Sequence, residues 1–92
     1  MSRFRIRVTK SNRIGFGAGG KRAVNVRFEI KPLGGGSILV YEGNASGSEF
    51  INRCERLKQI PVIVESQEPS HHGSIHDWKK NIVRCALAEM AA

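Results

Sequence analysis

Arg3-Phe4-Arg5-Ile6-Arg7-Val8 alternates a cation with a hydrophobe at every step. Side chains on a strand point to opposite faces with period two, so Phe4, Ile6 and Val8 belong to one side of a strand and Arg3, Arg5 and Arg7 to the other. Val24, Val26, Phe28 and Ile30 repeat the pattern against Asn25, Arg27, Glu29 and Lys31. Two half-buried strands of this kind imply a sheet with an oily face and a mostly basic one.

Working outward, Gly34-Gly35-Gly36 supplies the positive-φ residues of a tight reversal, and Ser37-Ile38-Leu39-Val40-Tyr41 reads as a third strand. Gly43 to Gly47 reads as a loop ending in a capping signature, Ser46 with Glu49, and a helix carrying Phe50, Cys54 and Leu57 on one stripe follows. Pro61 ends that helix. Pro61-Val62-Ile63-Val64-Glu65 reads as a fourth strand, which the proline restricts to an edge or to the strand's first position. Ser66 to Gly73 reads as an exposed loop. A second cap, Ser74 with Asp77, opens a helix with Ile75, Trp78, Ile82, Cys85, Ala86 and Met90 toward the core. The order β-β-β-α-β-α predicts one α+β domain over residues 1–92, a largely antiparallel sheet of three to four strands with two helices packed on one face.

Charge is unevenly placed. Residues 1–31 hold Arg3, Arg5, Arg7, Lys10, Arg13, Lys21, Arg22, Arg27 and Lys31 against Glu29 alone, or +8, whereas residues 32–92 hold six basic and seven acidic side chains, or −1. The formal +7 of the 92-residue chain is therefore concentrated in one segment. Such a field attracts polyanions, and nucleic acid is the commonest in a cell. A solvated outer face or a charged sheet edge would also explain three arginines on one strand. Their spacing of roughly 6.5–7 Å makes them repel one another unless an anion or partner intervenes, which favours a polyanion-facing surface.

The loop Gly15-Phe16-Gly17-Ala18-Gly19-Gly20-Lys21-Arg22 satisfies G-x-G-x-x-G and nearly satisfies the phosphate-loop pattern. A nucleotide site needs a helix after the glycines, and the phosphate loop a Ser or Thr after the lysine. This chain reads as a strand there and has Arg22 at that position. Two readings of the loop stay open: a cradle of backbone N–H groups for a phosphate flanked by Arg13, Lys21 and Arg22, or a solvated hairpin connection. Phe16 is the one aromatic among these basic residues, so contacts are expected to be led by phosphate rather than by bases. His71, His72 and His76 lack companion ligands at metal-binding spacing and read as a pH-responsive loop. Cys54 and Cys85 both fall at apolar helix positions and read as buried free thiols. No catalytic constellation emerges, so neither an enzyme nor a cofactor is expected.

A hydrophobic content of 40% and a charged content of 25% are those of a globular protein. No apolar run reaches the ~18–20 residues of a membrane span, and charges interrupt each hydrophobe of the first residues, unlike a signal peptide. A cytoplasmic location is expected.

In length, concentrated charge and lack of enzyme motifs, with Arg3 to Gly20 contributing most, the chain resembles the small phage-encoded anti-CRISPR proteins, and is most similar to inhibitors of the type I-F crRNA-guided surveillance complex. That class shares no sequence signature, so the resemblance assigns no residue a role. It implies a non-enzymatic inhibitor in the host bacterial cytoplasm that docks on the complex, on its guide RNA, its protein subunits or both, and blocks target DNA binding or hybridisation. A +7 chain cannot imitate DNA as acidic inhibitors do. Contact with nucleic acid phosphates or acidic protein patches is expected instead, through Arg3, Arg5, Arg7, Lys10, Arg13, Phe16, Lys21, Arg22, Arg27 and Lys31. The alternative is a free-standing RNA- or DNA-binding domain, ribosome-associated or regulatory, and a weaker one is a protein-interaction module that pairs its basic face with an acidic partner.

Overall fold

The structure, a computed structural model, describes residues 1–11, 15–16, 22–69 and 73–90, with the backbone alone described at 10–11, 15–16, 22–24 and 44–46. Its elements are β1 (Ser2–Ser11), β2 (Gly15–Phe16), β3 (Arg22–Pro32), β4 (Leu39–Ser46), α1 (Ser48–Gln59), β5 (Val62–Ser66) and α2 (Ile75–Glu89). All strand pairings are antiparallel, and the α+β architecture follows the expected β-β-β-α-β-α order once β2 is taken with β1. β1 and β4 flank β3 on opposite sides. Because Ala23 pairs with Ser46 of β4 and with Gly15 of β2, the two-residue β2 continues the lane of β1 along β3. β5 pairs with the other side of β1 and, beginning just after Pro61, forms an edge, where a proline is tolerated.

The alternation read from the sequence decides which face is covered. Phe4, Ile6 and Val8 of β1, Val26, Phe28 and Ile30 of β3 and Val64 of β5 are buried beneath Ile51, Cys54 and Leu57 of α1 and Ile82, Val83, Ala86, Leu87 and Met90 of α2. Trp78 packs at this core's margin: its ring meets Phe4 edge-on at 5.4 Å and its indole N–H donates to Ser66 Oγ at 3.0 Å, satisfying the polar end of a half-buried aromatic. Arg56 of α1 donates from Nη1 to the Met90 carbonyl at 2.8 Å, tying the two helices together where α2 leaves carbonyls without intrahelical partners.

Several local expectations are corrected. β4 begins at Leu39 rather than Ser37 and runs to Ser46, through the stretch expected to be loop, because its residues through Ser46 pair with β3. Ser46 therefore does not cap α1. Gly47 occupies that position with φ 115°, a conformation a side chain disfavours, and makes no side-chain cap. The stripe of α1 is centred on Ile51, Cys54 and Leu57, with Phe50 at its margin. On α2 the buried stripe is rotated toward Val83 and Leu87, which leaves Ile75 58% exposed and turns Cys85 to solvent.

Two predictions arise here. Ser74 does cap α2, accepting from the Asp77 backbone N–H at 3.3 Å, so Ser74→Ala is expected to cost about 1 kcal/mol and lower the thermal midpoint by roughly 4–8 °C in a circular dichroism melt. The two free thiols should differ. Burial, and secondarily the nearby Glu55 carboxylate, push the Cys54 thiol up to about 11. At pH 8 a thiol-specific reagent should modify Cys85 in the native protein and Cys54 only after denaturation. An unfolded thiol loses its proton at lower pH than folded Cys54 does, so this group's contribution to stability is complete below about pH 9 and lost as pH rises toward 11.

Candidate nucleic-acid interface

The face of the sheet away from the helices carries the arginines, and its register arranges them in rows. In the first row Arg3 of β1 stands opposite Glu65 of β5. In the second, Arg5 lies between Lys31 of β3 and Ile63 of β5. In the third, Arg7 is opposite Glu29, which is in turn opposite Val40 of β4. The fourth brings the Lys10 backbone opposite Arg27, itself opposite Glu42. A register shift between Val8 and Lys10 makes that last pairing possible by leaving Thr9 as an extra residue, and the Thr9 hydroxyl donates to the Arg27 carbonyl at 3.4 Å.

These rows change the electrostatics read from β1 alone. Cross-strand partners sit about 4.5–5.5 Å apart, nearer than the next arginine along the strand. Arg3 and Arg7 therefore have an acidic residue as nearest cross-strand neighbour, and Arg27 makes a loose ion pair with Glu42 at 3.9 Å. Among the described side chains Arg5 and Lys31 are the exception. Both are exposed, like charges face each other directly, and the other flank of Arg5 is Ile63, 46% exposed. Water screens this repulsion without removing it, and an anion lodged between the two would convert it into attraction.

Across the described side chains of this face, Arg3, Arg5, Arg7, Arg27 and Lys31 outnumber Glu29, Glu42 and Glu65 by two. Four further positive charges, Lys10, Arg13, Lys21 and Arg22, follow one another in sequence with no acidic residue among them. Arg13 and Lys21 lie outside the described residues, as do Gly17 to Gly20, and so does the choice between the two readings of the glycine-rich loop. Phe16 and Arg22 are backbone partners in the β2–β3 pairing. β3 starts at Arg22, so a strand follows the glycines where a nucleotide site has a helix.

No aromatic side chain is described on the outer face, since Phe4, Phe28 and Tyr41 belong to the helix-covered side. Base stacking therefore has no platform among these rows, and phosphate or protein contact remains. His71 and His72 lie outside the described residues. His76 is exposed in the first turn of α2, its ring 5.3 Å from that of Tyr41. Among the described residues no three His, Cys, Asp or Glu side chains gather into a metal-binding group, and no helix is long and apolar enough to cross a membrane.

Sequence reading missed the acidic residues Glu42 and Glu65 and the exposed Ile63 as members of this face. Their strands were visible, but register sets which residue of one strand meets which of the next, and no pattern within a single strand encodes it. The chain matches no protein-family model, no curated protein and no solved structure.

Proposed function

We propose that this chain is a non-enzymatic inhibitor that docks through its outer sheet face on a crRNA-guided surveillance complex of type I-F, meeting guide-RNA phosphates and the protein around them, and so keeps target DNA from hybridising. The observation that supports this reading most is the exposed Arg5–Lys31 pair beside Ile63. A phosphate between the two cations relieves their repulsion, while Ile63 offers an apolar contact that naked nucleic acid backbone does not use. The acidic residues of the flanking rows also favour a shaped, composite target. They weaken indiscriminate attraction to phosphate but can pair with basic side chains of a protein surface. The choice of target rests on the resemblance in length, charge and missing enzyme motifs.

A free-standing RNA- or DNA-binding domain is the second reading, and the uninterrupted charges of Lys10, Arg13, Lys21 and Arg22 favour it. Size-exclusion co-elution with the purified surveillance complex and with naked RNA separates the two. The inhibitor reading expects co-elution with the complex that survives physiological salt, and weak retention on naked RNA. Tight binding to naked RNA that falls steeply with salt, with no preference for the complex, would overturn it in favour of the second reading.

A further inference from the structure

On the opposite side of the domain from the arginine rows, a cleft of about 360 Å³ opens between the two helices and β4. Phe28 and Tyr41 of the sheet and Phe50 of α1 give it aromatic walls, and Arg53 of α1 with Lys80 and Arg84 of α2 stand around it. The spacing on α2 produces this combination. Lys80, Val83, Arg84 and Leu87 recur at i, i+3, i+4 and i+7, so two cations and two hydrophobes share one side of the helix. Val83 and Leu87 are buried, whereas Lys80 and Arg84 are exposed.

Like charges four residues apart on a helix repel. Among the described residues neither Lys80 nor Arg84 makes an ion pair, while Arg53 is held by Glu49 at 2.7 Å. The cleft thus has an excess of positive charge over an apolar lining. Gly43 adds space on the β4 side: a Cβ there would stand 3.2 Å from Tyr41 Cε1, so the missing side chain leaves the tyrosine ring uncrowded.

We infer that this cleft binds a small amphipathic organic anion, an aromatic-sized apolar body bearing a carboxylate, sulfonate or phosphate. The body leaves water against Tyr41 and Phe50, and the anion sits between Lys80 and Arg84, where it offsets their repulsion. The volume lies within the ~300–1,000 Å³ typical of small-ligand sites. A neutral apolar molecule loses the second contribution, and an inorganic anion loses the first.

Titrating the isotope-labelled full chain with 2-naphthoate, and separately with neutral 2-naphthalenemethanol, tests this by amide chemical shifts. Saturable shifts from 2-naphthoate are expected at Gly43, Val83, Arg84 and Leu87, with the neutral analogue binding roughly tenfold or more weakly. The double variant Lys80→Gln/Arg84→Gln, altered at exposed positions, should lose about that same factor for 2-naphthoate and leave the alcohol unaffected. Equal binding of the two molecules, shifts located elsewhere, no shifts, or an unchanged double variant would each overturn the inference.

Discussion

Arg5→Glu is expected to weaken binding to the surveillance complex by roughly 30-fold, about 2 kcal/mol, while leaving the fold as stable as before or more so. The two effects have opposite signs because one side chain is on the exposed face of a strand and directly opposite Lys31. In the wild type that pair is repulsive. In the variant it becomes an opposite-charge cross-strand pair, which contributes about 0.2–1 kcal/mol. The thermal midpoint should therefore stay level or rise by a few degrees, and the variant's circular dichroism spectrum should match the wild type. Adding Lys31→Glu restores a like-charge pair, this time acidic. It should return stability to about the wild-type value and weaken binding further. A residue that serves binding at some cost to stability behaves this way, and one that merely solvates the sheet does not.

Phe28→Ala should have the largest effect on stability. Phe28 lies on the central strand β3, 1% exposed, with Val8 opposite on β1 and Tyr41 opposite on β4, the two rings 6.2 Å apart between centroids. Removing a buried phenyl ring costs about 3–5 kcal/mol in transfer and cavity terms. Domains of this size have about 5–15 kcal/mol in total. A strongly reduced urea midpoint is expected, with a substantial unfolded population at 37 °C if the wild type is at the lower end of that range. Any loss of binding by Phe28→Ala should track the unfolded fraction and vanish on cooling, whereas the loss in Arg5→Glu should persist in a fully folded protein.

Much of the architecture was legible because two periodicities are cleanly written. The alternation of Arg3 to Val8 and of Val24 to Lys31 fixed both faces of the central strands, and Ser74 with Asp77 fixed the start of α2. Errors arose where tertiary pairing overrode local signals. Gly43-Asn44-Ala45-Ser46 has turn-forming residues, yet the partner strand β3 extends far enough to hold it in the sheet. Cys85 satisfies the helical spacing of Ile75 and Ile82, but Val83 and Leu87 are bulkier hydrophobes two positions to either side of it, and α2 turns toward them. The basic face was legible as a set of residues and illegible as a pattern. Glu65 comes from β5, remote in sequence from β1, and Glu42 from the strand that follows β3, and their places beside Arg3 and Arg27 depend on register. What the register adds is a focus. Instead of an even stripe of arginines, the described side chains of the face include one like-charge pair with an apolar neighbour.

The most direct measurement is target-DNA capture by a purified type I-F surveillance complex pre-mixed with increasing amounts of the wild-type chain or of Arg5→Glu/Lys31→Glu, read by mobility shift of labelled DNA. Docking through the sheet face predicts that the wild type abolishes capture at a fixed ratio to the complex, and that the folded double variant needs at least about 30-fold more protein. Capture unaffected by the wild type, or blocked equally well by the double variant, would contradict it.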